Sequence, residues 1–204
     1  MSLARGPRTR HILPMFIQTE ATPNPEVLKF IPGRDVMGVG TRDFRDVEAA
    51  QVSPLAVELF GIEGVNRVFF GPDFITVGRV QGEDWAFLKA PILAAIMDHF
   101  TSGQPLFAGA DDAAGGHDDH VYEGETAQIV AEIKDLLDTR IRPAVAQDGG
   151  DILFSRFDAD SGVVWLSMRG ACSGCPSSTA TLKAGVENML KHYVPEVTRV
   201  EQSL

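Results

Sequence analysis

Cys172 and Cys175 are the two cysteines of a 204-residue chain, and only two residues stand between them. They lie in the run Arg169-Gly170-Ala171-Cys172-Ser173-Gly174-Cys175-Pro176. Thiolates at that spacing can converge on one soft metal centre, or exchange with each other as a dithiol–disulfide couple. A closed tetrahedral zinc site or a cubane iron–sulfur cluster takes four ligands, and this chain carries two cysteines. Either the pair does redox chemistry by itself, or another chain brings the remaining sulfurs.

The flanking residues say what must position the pair. Upstream, Val163-Val164-Trp165-Leu166-Ser167-Met168 is apolar and partly β-branched or aromatic, which predicts a strand. Downstream, Leu182, Val186, Met189, Leu190 and Tyr193 follow the stripe of an amphipathic helix. The cysteines therefore belong on a strand-to-helix turn, at or just before a helix N-terminus. Gly170 and Gly174 let the backbone bend there, and Pro176 suits a first helical position. Free amides and the positive end of the helix dipole favour thiolate, so both cysteines are expected to be more acidic than a free one.

Composition narrows the classes. A net charge of −10 argues against broad binding of nucleic acid or anionic membranes, which would want a basic surface. Hydrophobic content of 44% and charged content of 23% are ordinary for a globular chain. So short a cysteine spacing makes a poor staple, and the scarcity of others points to a reducing compartment. No apolar run approaches a membrane span, so a soluble, intracellular protein is expected. Residues 1–14 carry Arg5, Arg8, Arg10 and His11 without an acid, a pattern shared with organelle-targeting segments. Gly6 and Pro7 interrupt it, and a disordered tail or cloning remnant is the reading preferred.

From residue 15 the chain reads as α+β: two small α/β-sandwich-like domains joined by a flexible acidic linker. The first, 15–102, opens with strand candidates Phe16–Thr19 and Val27–Ile31 around the turn Thr22-Pro23-Asn24-Pro25. Residues 32–46 read as a loop. Ser53-Pro54 predicts an N-cap and a first-turn proline for a short helix that Gly61 ends. Val65–Phe70 and Phe74–Val80 predict a hairpin around Gly71-Pro72-Asp73, and Asp84 predicts the cap of a helix in which Pro91 should cause a kink or restart. His99 is read as a capping or packing residue.

The linker, 103–124, is rich in Gly and Asp and has no Lys or Arg. It cannot bury enough surface to fold. Its His117-Asp118-Asp119-His120 run is read as solvated rather than metal-binding, because ordering a mobile segment costs entropy. The second domain, 125–204, begins with a helix on Ile129, Ile133, Leu136, Leu137 and Ile141, which Pro143 should kink or end. Asp148-Gly149-Gly150-Asp151 predicts a turn, Ile152–Phe157 pairs with Val163–Met168, and Val197–Val200 is a possible closing strand.

Ile141-Arg142-Pro143, Asp148-Gly149-Gly150-Asp151 and Gly170-Ala171-Cys172-Ser173-Gly174-Cys175-Pro176-Ser177-Ser178-Thr179, in this order, resemble the C-terminal domain of NifU-type iron–sulfur proteins. Phe16 to Phe30, with Thr19-Glu20-Ala21-Thr22-Pro23-Asn24-Pro25, resembles the N-terminal domain of the Nfu subgroup. The resemblance implies a non-enzymatic scaffold or carrier that binds a 4Fe–4S cluster between subunits of a homodimer and transfers it to apo-proteins. Cys172 and Cys175 match the ligand positions, and upstream assembly proteins and recipient apo-proteins are the implied partners. Two thiolates per chain, doubled across a two-fold axis, complete a four-thiolate set. A bacterial cytoplasm is the expected location, with the mitochondrial matrix as the alternative.

Other readings of the same residues stay open. Cys-x-x-Cys at a helix N-terminus also suits a thiol–disulfide oxidoreductase, although a thioredoxin-like pair would follow an early strand of a βαβ unit. Structural zinc shared between chains has the same ligand logic. Amides near Gly174, Ser177 and Ser178 could donate to cluster sulfur or merely cap the helix. Arg169 and Lys183 are read as solvated surface, and Asp148 to Asp151 as turn geometry rather than a metal site.

Overall fold

The structure is a computed structural model that describes residues 16–109, 120–173 and 176–203, and for 176–178 the backbone alone. The tail 1–14, the middle of the acidic segment with His117 to Asp119, and Gly174 and Cys175 lie outside the described residues.

The first half forms a five-stranded antiparallel sheet. Strands β1 (Gln18–Ala21), β2 (Val27–Ile31), β3 (Arg42–Phe44), β4 (Val65–Phe70) and β5 (Ile75–Arg79) stand in the order β1-β2-β5-β4-β3. Alternation along the strands sends Leu28, Phe30, Val68, Phe70, Ile75 and Val77 to one face. That face packs on helix α2 (Pro54–Phe60) through Leu55 and Leu59, and on helix α3 (Trp85–Ser102) through Leu88, Ile92 and Ile96. The expected caps are present: Ser53 Oγ accepts from the amide of Ala56, and Asp84 accepts from that of Ala86. Pro91 lies inside α3, and His99 is buried against the same layer.

Residues 32–46, expected as a loop, contain the edge strand β3, followed by a one-turn helix α1 (Val47–Ala50). Three residues, Arg-Asp-Phe, are too few for an alternation signal. Tertiary pairing makes the strand: Phe44 is fully buried and meets the ring of Phe70 edge-on at 5.1 Å.

The second half pairs β6 (Gly150–Asp158) antiparallel with β7 (Val163–Gly170), and adds β8 (Arg199–Gln202) parallel to β7. Helix α4 (Gly124–Leu136) and helix α6 (Pro176–Tyr193) cover one face of this sheet, where Ile133, Leu136, Val186 and Leu190 meet Ile152, Val164 and Leu166. The helical path does not stop at Pro143. It passes through a π-helical turn, Leu137–Ile141, and continues as α5 (Arg142–Gln147). The amide of Arg142 reaches back five residues to the carbonyl of Leu137. The ladder has thus changed register before the missing proline amide would interrupt it. No helix among the described residues is long and apolar enough to cross a membrane.

Candidate functional site

The Cys172 turn is assembled at the open end of the β6–β7 hairpin, opposite its connecting loop. Gly150 pairs with Gly170, the last residue of β7, and the chain then turns back on itself. The amide of Ala171 donates to Gly149 O at 3.1 Å, and the amide and hydroxyl of Ser173 both donate to Gly170 O, at 3.2 and 2.9 Å. From the first turn of α6, Thr179 Oγ1 donates to Cys172 O at 3.0 Å. Gly170 adopts a φ of +61° and Gly149 one of +81°, conformations that favour glycine.

Gly150 is required for a different reason. A Cβ there would lie 2.4 Å from Cys172 Sγ and 2.7 Å from Arg169 O. The Asp148-Gly149-Gly150-Asp151 turn is therefore the floor on which the Cys172 thiol rests, and not only a reversal of chain direction. Asp151 anchors that floor. It is buried, takes Arg142 Nε and Nη2 at 2.8 and 3.0 Å, and accepts from Thr41 Oγ1 at 2.7 Å. The two carboxylate contacts raise the Arg142 pKa still further against the opposing effect of burial.

Thr41 belongs to the first half of the chain, and it is one of several residues that cross over. Lys29 Nζ donates to the carbonyls of Ala146 and Gln147 at 3.2 and 3.1 Å, near the C-terminal end of α5, and sits 4.7 Å from the centre of the Phe74 ring. Pro23, with Asp148, Ala171 and Leu182, walls a cleft beside Cys172 of only about 40 Å³.

Burial pushes the Cys172 thiol up to about 12, with Asp148 and Asp151 adding to it by charge repulsion. The expectation of an acidic Cys172 is therefore reversed. The cause is position: Cys172 lies four residues before Pro176, the first residue of α6, while the helix dipole acts over about one turn. Desolvation by the surrounding core is the larger effect. Cys175, closer to the helix, lies outside the described residues, so the structure brings only Cys172 of the expected pair into view. Among the described residues there is no group of three or more His, Cys, Asp or Glu able to hold a metal ion.

Arg169, expected on a solvated surface, is half-buried instead. Desolvation lowers its pKa, against the attraction of Asp43 and Asp151 and with the repulsion of Arg45 and Arg42. Lys183 is partly exposed and pairs with Glu201 at 2.5 Å. The sequence reading missed Lys29, Thr41, Arg142 and Asp151 as parts of the site. One signal was available: Lys29 stands in the middle of Val27-Leu28-Lys29-Phe30-Ile31, where an isolated cation needs a buried partner.

These features define a class of two-part α+β proteins, in which a Cys-x-x-Cys motif stands in the sequence between a strand and a helix of the second part. A family model described as scaffold protein Nfu/NifU N terminal matches residues 17–103, and one described as NifU-like domain matches residues 133–201. The chain belongs to the Nfu family of NifU-like iron–sulfur scaffold proteins. It is 55% identical over 188 residues to NifU-like protein 4, mitochondrial, of Arabidopsis thaliana, covering 92% of this chain and 66% of the relative. It is 53% identical to NifU-like protein 5, mitochondrial, of the same plant, covering 92% and 68%. Against the NFU1 iron-sulfur cluster scaffold homolog, mitochondrial, of Drosophila willistoni it is 51% identical, covering 99% and 66%. The chain thus spans about two thirds of the length of these relatives. A solution structure of a NifU-like protein from Saccharomyces cerevisiae aligns with a TM-score of 0.45 at 21% identity, over 53% of this chain and 97% of that one. The relatives are named as mitochondrial, which runs against the expected bacterial cytoplasm.

Proposed function

We propose that the protein is a carrier that takes an iron–sulfur cluster as cargo, in the 4Fe–4S form, between two copies of its own chain and passes it to apo-proteins. Cys172 and Cys175 supply the ligands, so that two chains complete the four thiolates of a cubane. The observation that carries this reading is half a ligand set, two cysteines separated by two residues. The chain has two cysteines, and no further cluster of metal-ligating side chains exists among the described residues. Ligands shared across a subunit interface release their cargo when the subunits part, which suits delivery rather than catalysis.

A buried thiol held protonated is a poor nucleophile, and this counts against the thiol–disulfide exchange reading. Metal binding meets the same obstacle differently, since coordination itself deprotonates the thiol and replaces lost solvation with a ligand bond. The partners of this role are an upstream assembly protein and recipient apo-proteins. A net charge of −10 disfavours nucleic acid, and nothing in the role requires a membrane. The names of the relatives support placing this work in mitochondria. We assign the division of labour to domains at 15–102 and 125–204, with the acidic segment between them as a tether.

Anaerobic reconstitution with iron and sulfide tests the proposal. The expected product is brown, sediments as a dimer and carries about four irons and four sulfides per two chains, the cubane stoichiometry. Cys172→Ser or Cys175→Ser should each abolish it. A monomer holding a complete cubane, or a colourless monomer with disulfide reductase activity, would overturn it.

A further inference from the structure

The first sheet buries two faces, and only one of them is covered by its own helices. Val27, Lys29, Phe69 and Thr76 alternate with the core positions of β2, β4 and β5, so they point away from α2 and α3. They are nevertheless 6%, 8%, 0% and 2% exposed. The second domain supplies cover at Lys29, Phe69 and Thr76, while Phe74 of the first domain also flanks Phe69. Gly149 lies against Thr76 so closely that a Cβ would stand 2.8 Å from the Thr76 methyl, and a Cβ on Gly170 would stand 3.0 Å from the ring of Phe69. Lys29 and Thr41 add hydrogen bonds to the carbonyls of Ala146 and Gln147 and to the Asp151 carboxylate. The glycines around the Cys172 turn therefore fit a sheet face whose lysine and threonine find their partners there. In this arrangement Cys172, which packs into the core of the second domain, is 7% exposed, and Pro23 of the first domain walls the small cleft beside it.

We infer that this sheet face of the first domain is the resting partner of the Cys172 turn, and that it occupies the surface which a second copy of the chain needs in order to share a cluster. The first domain is then an intramolecular competitor of dimerisation. Undocking comes before loading, and redocking after delivery covers the emptied thiol. The competition rests on the carrier reading, whereas the docking of the first domain beside Cys172 stands on the packing alone, and the cover it adds there through Pro23 is what the test reads.

The test uses the full iron-free chain with Lys29→Glu and, separately, Thr41→Asp. The first sets a carboxylate against two carbonyls and the second sets one against Asp151, and neither residue touches Cys172. The readout is iodoacetamide alkylation of Cys172, followed by mass spectrometry at fixed pH, with circular dichroism reporting the fold. Each variant is expected to react about tenfold faster or more, and tenfold corresponds to about 1.4 kcal/mol of docking free energy. Wild-type rates in folded variants would overturn the inference. Should either variant unfold, the wild-type chain decides. Occlusion by docking predicts that alkylation accelerates at urea concentrations that leave the circular dichroism unchanged. Acceleration only in step with global unfolding would overturn the inference. Cluster loading separates the two proposals: faster alkylation with faster loading supports both. Faster alkylation with no iron uptake by any chain sustains the occlusion and removes the carrier.

Discussion

Gly150→Ala sets two effects of opposite sign against each other. Replacing a glycine by alanine at a compatible φ reduces the entropy of the unfolded chain and stabilises by about 0.4–1 kcal/mol. Gly150 is not among the positive-φ glycines, so by this effect alone the variant should gain. The added methyl, however, would stand 2.4 Å from Cys172 Sγ, 2.7 Å from Arg169 O and 3.1 Å from Cys172 N. Two of those three atoms are backbone, held by the pairing of Gly150 with Gly170, and cannot rotate away as a flexible side chain could. Overpacking of this kind costs about 1–3 kcal/mol. The loss wins, leaving a net destabilisation of about 1–2 kcal/mol. For a unit of this size that lowers Tm by about 4–8 °C per kcal/mol. The same shift moves Cys172 Sγ, so cluster retention after reconstitution should fall as well. Thermal melting followed by circular dichroism, with iron measured in parallel, reads both. Gly185→Ala is the internal control: nothing lies within 4 Å of a Cβ there, in the exposed middle of α6, and the variant should gain about 0.8–1 kcal/mol of helix propensity. A Gly150→Ala chain as stable as the control would refute the account of the turn as the floor of the site.

Asp151→Ala removes the shared acceptor of Arg142 and Thr41, and Ile152 N loses its contact with the same carboxylate. Arg142 is about a third exposed and water relieves part of the loss, so the cost is about 2 kcal/mol, read as a lower urea midpoint at constant slope. His99 has its pKa lowered from 6.5 by burial, so the folded chain favours the neutral ring. Its contribution is complete above pH 6.5 and is lost as pH falls through the depressed folded value; His99→Leu should flatten that acid-side slope in urea titrations.

Much of the local structure was legible in the residues themselves, because its causes are local. Ser53 and Asp84 cap helices because their side chains reach amides two or three residues on. Gly71-Pro72-Asp73 turns a hairpin because few other residues can, and the spacing of Cys172 and Cys175 marks a candidate site. Pro143 was expected to kink or end its helix, and which of the two it does turned on the π-helical turn before it, a local cause with no composition signal.

What the chain could not announce is where remote segments meet. Thr41 and Asp151 are 110 residues apart, and Lys29 and Ala146 are 117 apart, yet those contacts join the two halves at the Cys172 turn. The acidity of Cys172 turned on the same circumstance. Sequence placed it near a helix end, where a thiolate is favoured, while the assembled core withdrew it from water, where a thiolate is costly. Residue types and spacing determined that two sulfurs stand two residues apart between a strand and a helix. Only the packing of helices and sheet around the turn decided that Cys172 would be covered, because burial is a property of neighbours and not of the residue that is buried.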